Sequence, residues 1–376
     1  MHPFTFNSVA YTALGLLGLL SAVSSAPSPK KWSNKSSTDV WPTNTTYPGW
    51  GSGSNSTGSS GSWNSTIPGS GNSTTPSSGN STSSSGGTNP SEYGSTPAFV
   101  VYTDKNTGGD ILPPVSEMEP DCWPCCDSVL SFLLLSGAAD QAEAWAALSD
   151  SQKAAIKNEY NGANISIVVS AFGSTDAPTT TGADPVDTAN TMAQWVLDNQ
   201  LDGIDVDYED LSAMNARDGS AEQWLVTFTQ TLRKKLPKGH YLLTHAPVAP
   251  WFSPVFNATG AYLTVDQKAG DLIDWYNVQG ADIYTTCDSL LNTSGGDWPG
   301  SSLHEIANAG VPLDKLVIGK YATAADGATG FMDPQDLSQC IAQAKKQGWN
   351  AGIMSFQYPD ADSQWIKTAR GSAFPL

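Results

Sequence analysis

The sequence predicts an α/β fold: a (β/α)8 TIM barrel preceded by a disordered Ser/Thr/Gly/Asn-rich segment. Three observations carry this expectation. Short apolar runs alternate with longer helical patterns eight times over residues 97–376. Residues from about Ser33 to Thr96 are, by contrast, almost all Ser, Thr, Gly, Asn and Pro. No Gly-rich phosphate loop follows the first strand, which disfavours a doubly wound open sheet.

The N-terminus carries an apolar run from Ala13 to Val23 that ends in Ser24-Ser25-Ala26 and Pro27. That pattern is expected of a secretory signal peptide over residues 1–26, too short for a spanning helix. The C-terminal GSAFPL has no apolar tail, so no lipid-anchor signal is expected there. The chain is therefore expected to be secreted and extracellular, with a cell-wall association left open. Residues 27–96 bury too little apolar surface to offset the entropy of ordering. Asn-X-Ser/Thr sequons at Asn34, Asn44, Asn55, Asn64, Asn72 and Asn80 mark the stretch as a glycosylated linker.

From Ala98 onward the order is strand then helix. Strands are expected at 98–102 (AFVVY), 129–135 (VLSFLLL), 164–172 (NISIVVSAF), within 201–210 (LDGIDVDYED), and at 241–246, 275–279, 315–319 and 352–357. Between them, helices are expected at 138–160 with Ser149 as an interior cap, at 184–199, at 216–236 and at 265–273. Further helices follow at 303–309, 334–347 and 362–370. The 184–199 helix has the clearest start, with Asp184 at the cap and Pro185 at the first position.

The formal charge of −18 argues against nucleic acid or an anionic membrane as partner and leaves a neutral polymer open. Five cysteines, three of them in Cys122-Trp-Pro-Cys125-Cys126, lead to an expected disulfide within or from that cluster, of unknown connectivity. The Cys-x-x-Cys has no second pair or His cluster, so no metal is expected. No cofactor is expected either, and the chain is read as a monomer.

The chemistry concentrates in the fourth strand. Side chains alternate along a strand, so Asp205, Asp207 and Glu209 share one face while Ile204, Val206 and Tyr208 share the other. Like charges this close cannot all ionise, and at least one member must hold a proton. A general acid needs that property. A solvated acidic edge is the competing reading, but it would not alternate with Ile, Val and Tyr. A cation site would want His or further ligands.

Asp202-Gly203-Ile204-Asp205-Val206-Asp207-Tyr208-Glu209 resembles the DGxDxDxE signature of glycoside hydrolase family 18, the chitinase family. The likeness runs from the first strand to the eighth and is nearest the class III, hevamine-like small-barrel branch. Ser170-Ala171-Phe172-Gly173 stands at the family's third-strand motif with Phe172 for one glycine, and Ala246-Pro247 matches after the fifth strand. The segment from Gly319 to Ala324, with Gly330-Phe331, resembles the family after the seventh.

The resemblance implies a secreted chitinase acting on β-1,4-linked N-acetylglucosamine by a retaining, substrate-assisted route. Glu209 would be the acid/base. Asp207 would orient the acetamido group, and Asp205 would share a proton with Asp207. Asp202 and Gly203 would be structural. Substrate-binding candidates are Tyr102, Phe132, Trp251, Tyr276, Gln279 and Phe356. The family's Gln-Phe-Tyr-Asn after the sixth strand is replaced here by Gln279-Gly280-Ala281-Asp282, and its eighth-strand Trp by Phe356. Alternatives are an endo-β-N-acetylglucosaminidase acting on N-glycans, a catalytically silent chitin-binding barrel, and a cell-wall glycoprotein.

Overall fold

A computed structural model describes residues 96–104, 111–118, 125–280, 284–327 and 330–375. The expected signal peptide and nearly all of the glycosylated linker lie outside these residues, as do Cys122 and the side chain of Cys125.

Eight parallel strands close a barrel: β1 (Ala98–Thr103), β2 (Cys125–Leu134), β3 (Ile165–Gly173), β4 (Gly203–Tyr208), β5 (Leu242–His245), β6 (Tyr276–Gln279), β7 (Leu316–Tyr321) and β8 (Gly352–Tyr358). Each pairs with its neighbours in sequence, and β1 closes the ring by pairing with both β2 and β8. The two residues Gly137–Ala138 fold back antiparallel on the end of β2. The TIM barrel expected from the alternation is present.

The outer ring follows from local signals. The expected helix over 138–160 is two helices, α1 (Asp140–Ala146) and α2 (Asp150–Gly162). Ser149 breaks it because its hydroxyl accepts from Gln152 N while the Gln152 side chain accepts from Ser149 N, a reciprocal cap that starts a new helix. α3 (Pro185–Asp198) begins as expected, with the Asp184 carboxylate accepting from Val186 N and Asp187 N. A short α4 (Leu211–Ala216) precedes α5 (Ser220–Lys235), which therefore starts later than its pattern suggested. α6 (Ala261–Ala269), α7 (Cys287–Leu291), α8 (Leu303–Asn308), α9 (Pro334–Lys346) and α10 (Ser363–Arg370) complete the ring.

The core lies between barrel and helices. Trp224 stacks on Phe228 at 4.8 Å, and Phe172 packs edge-on against Trp224 at 5.6 Å. A disulfide joins Cys287 of α7 to Cys340 of α9, closing 53 residues of chain, which in a chain-entropy account is worth about 4 kcal/mol. This pairing uses the two cysteines outside the Cys122–Cys126 cluster; Cys126 is buried. Below the barrel, Arg233 of α5 reaches Asp274 Oδ2 at 2.7 Å and donates to the carbonyls of Leu272 and Tyr241. That buried network ties the helix to the lower ends of β5 and β6.

Candidate active site

β4 places the acids. Ile204, Val206 and Tyr208 are fully buried and face the helices, with Tyr208 against Trp224 and Trp251. Asp205 and Asp207 point into the lumen, and Glu209 is the first residue past the strand, at its C-terminal end. Gly203 permits this packing: a Cβ there would lie 2.2 Å from the Leu242 carbonyl oxygen, so β4 and β5 approach this closely only with glycine. Asp202 sits at the other end of the strand, accepting from Ile167 N at 2.9 Å and pairing with Lys157.

Asp205 is completely buried and accepts four hydrogen bonds. Tyr102 Oη donates at 2.7 Å, Ser170 Oγ at 2.8 Å, Thr244 Oγ1 at 2.6 Å and Asn277 Nδ2 at 3.2 Å. Burial pushes its proton affinity up, and the donors, Thr244 foremost, pull it back. Asp207 has less help. Its affinity stands well above the ordinary carboxylate value, first through burial, then through the charges of Glu209 and Asp205 and a hydrogen bond with Glu209. Gln279 Nε2 donates to Asp207 Oδ1 at 2.7 Å and to Glu209 Oε1 at 3.2 Å. Its own position is fixed by the Ala246 carbonyl at 2.8 Å. The row is thus graded: a buried acid with four donors at the bottom, one with a more strongly raised proton affinity above it, and Glu209 at the mouth.

Glu209 and Asp207 line a cavity of about 200 Å³ at the C-terminal ends of the strands, where the chemistry of such barrels sits. Tyr102, Phe132, Gln279 and Phe356 line it as well. Phe132 lies over Gly173, where a Cβ would stand 3.0 Å from its ring. Phe356 meets Tyr321 edge-on at 6.3 Å.

Two candidates are corrected. Trp251 is fully buried, stacked at 5.9 Å on Tyr262 of α6, because the turn after β5 folds its ring back over the outside of the barrel. Tyr276 is also fully buried. It precedes Asn277 on β6, so alternation sends it outward, and its hydroxyl donates to Asp266 of α6 at 2.7 Å. Neither lines the cavity. The sequence reading missed Thr244 and Asn277, which alternation from Gln279 and from Ala246 could have placed inward. It also missed Lys320, which lines the cavity and donates to the carbonyls of Gly280 (2.7 Å), Tyr284 (2.6 Å) and Gly330 (3.0 Å).

Phe172 explains the departure at the third strand. It has φ of 79°, the left-handed region that glycine favours, so the backbone bend persists although the residue is not glycine.

No family model and no curated protein matches the chain. Solved structures do. A GH18 chitinase from Pseudoalteromonas aurantia is 25% identical, with a TM-score of 0.57, over 72% of this chain and 98% of its own. A fungal endo-beta-N-acetylglucosaminidase of glycosyl hydrolase family 18 is 18% identical, with a TM-score of 0.52, over 73% and 96%. The chitinase ChiC of Aspergillus fumigatus is 15% identical, with a TM-score of 0.51, over 70% and 91%. The last two show the shared fold. The likeness to the Pseudoalteromonas enzyme, over a barrel that carries the carboxylate row, supports a glycoside hydrolase. The resemblance to family 18 carried by the fourth strand is borne out by these likenesses.

Proposed function

We propose that the chain is a chitinase, hydrolysing β-1,4-linked N-acetylglucosamine polymers with retention of configuration. The observation that carries this reading is the Gln279 amide, which contacts Asp207 at 2.7 Å and Glu209 at 3.2 Å. Two carboxyl groups bridged by one amide lie on the same side of a substrate. A nucleophile and an acid acting from opposite faces stand about 5 Å or more apart instead. The nucleophile then comes from the sugar. The N-acetyl oxygen attacks the anomeric carbon while Glu209 gives its proton to the leaving oxygen. Asp207 receives the acetamido N–H and steadies the positive charge of the oxazolinium ring. Water then attacks from the side vacated by the leaving group, with Glu209 taking its proton back. The four donors around Asp205 favour its charged form, which would stabilise that cationic intermediate from beneath the row.

Phe132, Phe356 and Tyr102 offer ring faces to the sugars. The same chemistry would cleave the N-acetylglucosamine pair at an N-glycan core, so the assay is run on both substrates. Chito-oligosaccharides and a high-mannose glycoprotein are incubated with wild-type protein and with Glu209→Gln. Cleavage of the oligosaccharides that Glu209→Gln abolishes is expected. Binding without product by the wild type would make the barrel a lectin, and release only from the glycoprotein would move the substrate. We further propose that the chain acts outside the cell, as a monomer, with the sequons of residues 27–96 glycosylated.

A further inference from the structure

Glu209 stands just past the end of β4, beyond the strand ladder that fixes Asp205 and Asp207. Its backbone turns at once: Leu211 N donates to the Glu209 carbonyl at 2.7 Å, and Asp210 between them has φ of −71° and ψ of 77°. Those angles make an inverse γ-turn centred on Asp210. The direction of the Glu209 side chain therefore depends on what holds Asp210.

The loop after β3 holds it. Asp210 is 1% exposed, and its two carboxylate oxygens accept from Thr180, Oδ2 from the backbone N at 2.6 Å and Oδ1 from Oγ1 at 2.5 Å. Oδ1 also accepts from Ala213 N at 3.1 Å, which caps α4. On the other side of Glu209, Tyr208 Oη donates to Thr179 Oγ1 at 2.8 Å. Both neighbours of the acid/base are thus gripped by adjacent residues of one loop.

That loop is itself braced. Thr181 N and Oγ1 both donate to the Ala177 carbonyl, and Ala183 N donates to that of Pro178. One end is pinned where Leu135 N, just past β2, donates to Asp176 Oδ2 at 2.6 Å. The other is pinned where Trp224 Nε1 donates to the Ala183 carbonyl at 2.7 Å. Ser174 of the same loop lines the cavity.

We propose that Asp210, held by Thr180, is a positioning residue that aims Glu209 into the cavity. The proposal rests on the chitinase reading given above. A carboxyl misplaced by about an ångström can lose on the order of a hundredfold in rate, so the grip matters to turnover more than to sugar affinity.

The test measures kcat and KM on chito-oligosaccharides for the full-length protein, Thr180→Val, Thr180→Ser, Asp210→Asn and Thr180→Val/Asp210→Asn, each with its thermal midpoint. Thr180→Val is expected to lower kcat at least about tenfold with KM within about twofold, and Thr180→Ser to restore most of it. The double variant is expected to lose little beyond Asp210→Asn, since both changes weaken the same Thr180–Asp210 pairing. Wild-type kcat in Thr180→Val overturns the proposal. So does a loss that only tracks the folded fraction, or additive losses in the double variant. Absence of cleavage by the wild type instead removes the chitinase reading, and the proposal falls with it.

Discussion

The hydroxyl of Tyr102, at the upper end of β1, donates to Asp205 Oδ2 across the barrel at 2.7 Å, joining residues 103 apart in sequence. Tyr102 lines the cavity with its ring while its hydroxyl anchors the lowest acid of the row.

Tyr102→Phe separates those two duties. The ring face stays, and Asp205 keeps Ser170, Thr244 and Asn277 as donors. Losing a donor to the charged form raises the proton affinity of Asp205, so it competes better with Asp207 for a proton. The expected outcome is a kcat about tenfold lower with KM little changed, read from initial rates on chito-oligosaccharides. A raised KM at unchanged kcat would instead assign the residue to sugar binding alone.

Gln279 gives a sharper contrast. Gln279→Leu removes the donor shared by Asp207 and Glu209, and Gln279→Glu adds a third carboxyl beside them. Both should cut kcat, by about tenfold to a hundredfold for Leu and by more for Glu, because a new like charge disfavours ionisation of its neighbours. Rate profiles against pH should show the Glu variant's optimum displaced to higher pH.

Much of this site was legible in the sequence because β4 states its own geometry. Strict alternation of Asp205, Asp207 and Glu209 with Ile204, Val206 and Tyr208 fixes which face is the lumen before any partner is known. What was not legible depends on contacts between distant segments. Trp251 follows β5, as a cleft residue would, yet its ring is claimed by Tyr262 of α6. Nothing local to β6 announces that Asp266 of α6 will take the Tyr276 hydroxyl. β2 starts at Cys125 rather than at the expected Val129, and Asp127 is a buried strand residue. The Cys287–Cys340 bond likewise rests on where α7 and α9 lie, not on spacing.

Phe172 sets two energies against each other. Its φ of 79° costs about 1–2 kcal/mol in a residue with a Cβ, and Phe172→Gly would release that strain. The same change empties a fully buried site between Trp224 and Phe228, at a cost of about 3–5 kcal/mol. Packing wins, so Phe172→Gly should destabilise the fold by about 2 kcal/mol net, measured as a lower denaturant midpoint with unchanged slope.

Asp127 supplies the pH dependence of stability. It lies on β2 with 1% exposure, and neither carboxyl oxygen has a hydrogen-bond partner among the described residues. Burial pushes its pKa up to about 8, with the Ser166 hydroxyl opposing the rise and the charges of Asp202, Asp274 and Asp205 adding to it. The native state therefore keeps a proton that the unfolded chain gives up near pH 4. Above that pH the unfolded state is favoured progressively, until the native carboxyl also ionises near pH 8. Asp127→Asn removes this term, so its stability relative to the wild type should grow from pH 4 to pH 8 and level off beyond, by on the order of a few kcal/mol. The comparison must be a difference between the two proteins at each pH. His245, buried and held down to about 3, acts in the opposite direction, destabilising the native state as pH falls below the ordinary histidine value. Both proteins carry that histidine, so it cancels, and a stability difference flat across pH 4 to 8 would show that Asp127 is ionised in the folded chain.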